Sequence, residues 1–103
     1  MSKPKHAAPG DTLTTRDHDR IKRWAEARGA KPATVPGTEH GDWLGVLRMD
    51  FPGYGGEDLK HVSWEEWFRT FDERKLEFVY QERRKDGEES NFFRLTNPDR
   101  EDA

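Results

Sequence analysis

The chain reads as a single α+β domain: two helices packed on one face of a small three-stranded sheet, in the order α-β-α-β-β. Three observations predict it. Trp64, Trp67, Phe68 and Phe71 fall at i, i+3, i+4 and i+7, so four aromatic rings share one face of a helix. Leu47, Met49 and Phe51 alternate with Arg48 and Asp50, and Leu76, Phe78 and Tyr80 alternate with Glu77, Val79 and Gln81. That period of two marks half-buried strands. A charged stretch, 83–90, carries Asp86-Gly87 at its centre and turns the chain back into Phe92 to Leu95 as a hairpin.

Residues 1–14 and 97–103 contain no aromatic residue and read as disordered tails, leaving 15–96 as the domain. The first helix is expected over about 16–28. Thr15 serves as N-cap, Asp17 and Asp19 place negative charge where the helix dipole favours it, and Ile21, Trp24, Ala25 and Arg28 recur at helical spacing. Gly29 is the residue expected just past the end, with Pro32 beyond it. Pro32, Pro36, Gly37 and Gly41 then predict a loop over 31–42.

A strand is expected over 44–51, ended by Pro52-Gly53-Tyr54-Gly55-Gly56. The aromatic helix follows over 63–73. Ser63 and Glu66 have the spacing of a capping box, and Val62 and Trp67 that of a hydrophobic staple. The strand–helix–strand connection should cross over with the right hand. Phe92 and Phe93 point to opposite faces, which favours placing the last strand between the other two.

Composition limits the function classes. Hydrophobic residues make up 31% and charged residues 38% of the 103, and the twelve aromatic rings are what sustain a core. The formal net charge of −3 argues against bulk electrostatic binding to nucleic acid or anionic membranes. Without cysteine there is no disulfide, thiolate zinc site or cysteine nucleophile. No apolar run has the length of a signal peptide or membrane span, so a cytoplasmic location is expected.

Asp17-His18-Asp19-x-Ile21-x-x-Trp24-Ala25-Glu26-x-Arg28-Gly29, then Gly45-Val46-Leu47-Arg48-Met49-Asp50-Phe51-Pro52-Gly53, then Val62-Ser63-Trp64-Glu65-Glu66-Trp67-Phe68, Phe71 and Tyr80-Gln81 carry a resemblance. Over roughly residues 14–95 the chain resembles a family of small, uncharacterised, stand-alone bacterial proteins of about this length. Its members usually have Phe at the position of Trp67. They are often labelled alpha-glucan branching enzymes, an activity that needs a large barrel and paired carboxylates flanking a glycosidic bond. A single 103-residue domain has no room for that barrel. The resemblance therefore implies a fold and no reaction.

The catalytic inventory is thin. Ser2 falls in a tail, Ser63 in the cap and Ser90 at a hairpin edge, and no Ser-His-Asp spacing is present. Glu65 and Glu66 diverge by about 100° on a helix, so they do not converge as an acid/base pair. Asp17-His18-Asp19 and Glu39-His40-Gly41-Asp42 have no metal-ligand spacing. Gly53-Tyr54-Gly55-Gly56 lacks the Lys-Ser/Thr of a phosphate loop. No catalytic residue, metal or cofactor is expected.

Arg16, Arg20 and Arg23 fall at i, i+4 and i+7 of the expected first helix. From Arg16 to Lys31 six Lys/Arg face three Asp/Glu, whereas from Asp50 to Glu77 four face eight, so charge is polarised along the chain. Trp43, beside Asp42, has no core assignment by periodicity, and Tyr54 tops a glycine-rich turn. These five residues form the candidate partner-binding surface. The function expected is a small non-enzymatic, monomeric interaction module with a macromolecular partner, protein rather than nucleic acid. The alternatives are a nucleic-acid-associated accessory protein using the same basic helix, and a carbohydrate-binding or carbohydrate-related protein.

Overall fold

The computed structural model describes residues 9–39, 44–53 and 58–97. Its elements run β1 (Leu13–Thr15), α1 (His18–Ala27), β2 (Lys31–Thr34), β3 (Leu47–Asp50), β4 (Lys60–His61), α2 (Trp64–Glu73), β5 (Glu77–Tyr80) and β6 (Phe93–Thr96). The fold is α+β with the two expected helices, but the strands form two antiparallel sheets instead of one. One has the order β1-β5-β6 and the other β3-β2-β4.

Three strands were not legible in the sequence. β1 lies in the segment expected to be tail, and pairs Leu13 with Tyr80 and Thr15 with Phe78. Just before it, the Gly10 N–H donates to the Arg83 carbonyl at 2.9 Å. β2 lies in the segment expected to be loop, and is the centre of its sheet despite Pro32. The bonds explain how proline is accommodated. The Val35 N–H donates to Val46 O, which turns the backbones of Lys31 and Ala33 toward β3 and that of Pro32 toward β4. Pro32 O accepts from Val62 N there, so its missing N–H removes no bond from the β2–β3 ladder. β4 is only two residues long, too short for periodicity to register.

The strand order differs accordingly. β6 is an edge strand against β5, not a central one, and Phe92 just before it is 44% exposed. β3 and β5 belong to different sheets, so the expected right-handed crossover within one sheet does not arise.

Both helices are capped at each end. α1 begins two residues later than expected because β1 runs through Thr15. Asp17, not Thr15, is the N-cap, its carboxylate accepting from Asp19 N and Arg20 N. Ser63 caps α2 as expected, its hydroxyl accepting from Glu66 N at 3.0 Å. Each helix ends in a Schellman turn. Ala30 N donates to Ala25 O and Gly29 N to Glu26 O in α1, and Leu76 N donates to Phe71 O and Lys75 N to Asp72 O in α2. Gly29, at φ 72°, supplies the left-handed residue of the first, and Lys75, at φ 56°, that of the second.

The two sheets and two helices share one core. Ile21, Trp24, Leu47, Met49, Trp67, Phe68, Phe71, Phe78 and Tyr80 are all buried in it, with Trp64 partly buried at its margin. Both buried indoles satisfy their N–H: Trp24 Nε1 donates to Gln81 O at 2.9 Å and Trp67 Nε1 to Arg48 O at 3.0 Å.

Candidate functional site

One face of α1 and both sides of the β5–β6 hairpin connection enclose a basic cleft of about 290 Å³. Arg20, Arg23 and Arg28 line it from the helix, and Tyr80, Glu82, Arg83 and Glu89 from the hairpin. Amphipathic spacing explains the helix side. Ile21, Trp24 and Ala25 face the core, which leaves Arg20 and Arg23 on the solvent side.

Arg28 holds the cleft together. Its Nε donates to Ser90 O at 2.6 Å, one terminal nitrogen to Trp24 O at 2.9 Å, and the other to Glu82 O at 3.0 Å. The same guanidinium lies over the Trp24 ring, 4.3 Å from its centroid. Burial lowers its pKa, against the opposing pull of the Glu89 and Glu82 carboxylates. An arginine so engaged still carries its charge at physiological pH. The hairpin side is pinned in turn. Gly87 N donates to Arg84 O, Gly10 N to Arg83 O, and Arg83 to Gly87 O.

Arg20 and Arg23 are exposed, and among the described residues no ion pair joins either to a carboxylate. Arg16 stands apart from them. It precedes the Asp17 cap, so its four-residue spacing from Arg20 is not helical, and it pairs instead with Glu77 of β5 at 3.6 Å. The structure thus brings Arg20 and Arg23 together and adds Arg28 and Arg83. Trp43 and Tyr54 lie outside the described residues. Arg83 was hidden from sequence reasoning because its neighbours across the cleft are some sixty residues away. Arg28 was legible only as a helical position, not as the group that closes the cleft.

The other sequence candidates are engaged elsewhere. His18 Nε2 meets Asp72 of α2 at 2.9 Å, and His61 Nε2 meets Asp50 of β3 at 2.7 Å. Among the described residues no group of three or more His, Asp or Glu gathers within reach of one metal ion. Ser63 is committed to its cap, and Ser90 donates to Gln81 Oε1 and accepts from Phe92 N. No helix among the described residues is long and apolar enough to cross a membrane. Comparison with protein-family models, curated proteins and solved structures finds no match to this chain.

Proposed function

We propose that this chain is a small non-enzymatic interaction module whose basic cleft receives an acidic segment of a protein partner. One observation carries the reading: Arg20 and Arg23 are exposed beside a cleft wall hydrogen-bonded through Arg28, with no ion-pair partner among the described residues. Guanidinium groups at the rim of a cleft attract carboxylates and can bind them through paired hydrogen bonds. Glu82 and Glu89 share the same walls, and their negative charge disfavours a uniform polyanion. That favours a short acidic protein segment over the continuous charge of a nucleic acid. The carbohydrate reading has less support. Trp24 and Trp67 are buried and Trp64 stacks on Phe68 at 5.2 Å, so three of the four tryptophans serve packing. On this proposal the module works as a monomer in the cytoplasm.

The test is a double charge reversal, Arg20→Glu with Arg23→Glu. The variant should keep its circular dichroism spectrum and melting temperature, because exposed charges contribute little to stability. It should lose the proteins that the parent retains from an extract of the source cell. Binding of labelled DNA or RNA that falls steeply with rising salt would overturn the protein reading in favour of nucleic acid.

A further inference from the structure

β3 and β6 are edge strands of separate sheets, and residues of both line one largely apolar groove of about 510 Å³. The ladder bonds establish which backbone groups of each edge strand point out of its sheet. The Val35 N–H to Val46 O bond makes Ala33–Arg48 a bonded pair, so the N–H and C=O groups of Leu47 and Met49 point away from β2. The Gln81 N–H to Phe92 O bond does the same on the other side, turning the backbones of Phe93 and Leu95 away from β5. Leu47, Met49, Phe93 and Leu95 all line the groove, and among the described residues none of their outward backbone groups has a partner.

The side chains are sorted by the same alternation. Leu47 and Met49 are buried in the core, and Phe93 and Leu95 pack against it, which makes the floor of the groove apolar. Arg48 and Arg94 alternate with them, are exposed, and pair with no carboxylate among the described residues. Arg74, at one end, is already committed to the carbonyls of Leu44 and Gly45.

We propose that this groove takes up an extended segment of a protein partner as an added strand joining the two sheets, with apolar side chains at alternate positions and Asp or Glu between them. Unpaired edges on both sides call for a chain that donates and accepts on both sides, as a strand does. The apolar floor selects one set of its side chains, and Arg48 and Arg94 select the other through cross-strand pairing of opposite charge. The same two arginines would repel a second copy of this chain brought edge to edge, which is how exposed edges are ordinarily guarded. The groove shares no lining residue with the cleft of Arg20 and Arg23, so the two sites fail separately.

Panning a displayed library of random octapeptides against the full chain tests the idea. Enriched peptides should alternate apolar and acidic residues, and in titrations of labelled protein should shift the amide resonances of Leu47, Met49, Phe93 and Leu95 most. N-methylation of alternate backbone nitrogens in the best peptide should weaken binding by roughly tenfold or more, with no change to the protein. Arg48→Glu with Arg94→Glu should weaken it to a similar degree, whereas Arg20→Glu with Arg23→Glu should leave it unchanged. The proposal is overturned if no peptide is enriched, if the shifts map to α1, or if the N-methylated peptide binds as well as its parent. Concentration-dependent dimerisation abolished by the Arg48 and Arg94 reversals would likewise overturn it, in favour of a second copy.

Discussion

The imidazole of His18 lies flat on the ring of Phe68, with centroids 4.2 Å apart and planes within 6° of parallel. It joins the first residue of α1 to the buried face of α2, and its Nε2 reaches Asp72 on the next turn of that helix. The Asp17-His18-Asp19 triplet is thus divided between two tasks. Asp17 caps its own helix, and His18 packs onto the other.

Removing that ring by His18→Ala should cost about 1 to 2 kcal/mol, the range for losing a stacked pair together with its buried area. His18→Phe keeps the stack and gives up only an exposed bond to Asp72, so it should stay within about 0.5 kcal/mol of the parent. Urea denaturation separates the two. Equal losses in both variants would mean that the Asp72 bond, not the stack, holds the helices.

Arg28→Lys removes a planar fork that reaches three separate carbonyls and covers Trp24. A lysine ammonium cannot reproduce that geometry, and at least one carbonyl loses its partner. The expected loss is about 2 to 3 kcal/mol, large for so small a domain. A thermal melt matching that of the parent would show that the cleft wall does not depend on this residue.

Lys75 holds a left-handed conformation, φ 56°, at the position where Gly29 ends α1. The two helix ends are the same motif with different residues. Lys75→Gly should raise stability by about 0.5 to 1 kcal/mol, the left-handed strain relieved less the extra entropy of a glycine in the unfolded chain. A lower denaturation midpoint would show that the lysine side chain earns its place through contacts instead.

Thr34, at the centre of the β3-β2-β4 sheet, is 1% exposed, and its hydroxyl is the one buried side-chain polar atom without a partner among the described residues. Thr34→Val keeps the shape, suits a strand, and removes the orphan group. Stability should rise by about 1 kcal/mol, read from the shift in denaturation midpoint.

Local chemistry determined the parts that sequence alone revealed. Ser63 caps α2 because its hydroxyl reaches an N–H three residues on, and the aromatic face of that helix repeats within eleven ångströms of axis. The Asp86-Gly87 turn and the alternation in β3 are equally local, as is the glycine that ends α1, whereas Val79 of β5, at the expected outward position, is buried along with Phe78 and Tyr80. Tertiary structure decided the rest. Leu13–Thr15 and Lys31–Thr34 are strands because a partner edge lies beside them, a condition that no short window of sequence contains. Arg16 left the helical stripe because β1 delays the start of α1, while Arg28 and Arg83 joined the cleft because the hairpin folds back over α1. A helix face or a turn is set by residues within about one turn of each other; a sheet edge and a charged cleft are set by residues that meet only after the chain has closed on itself.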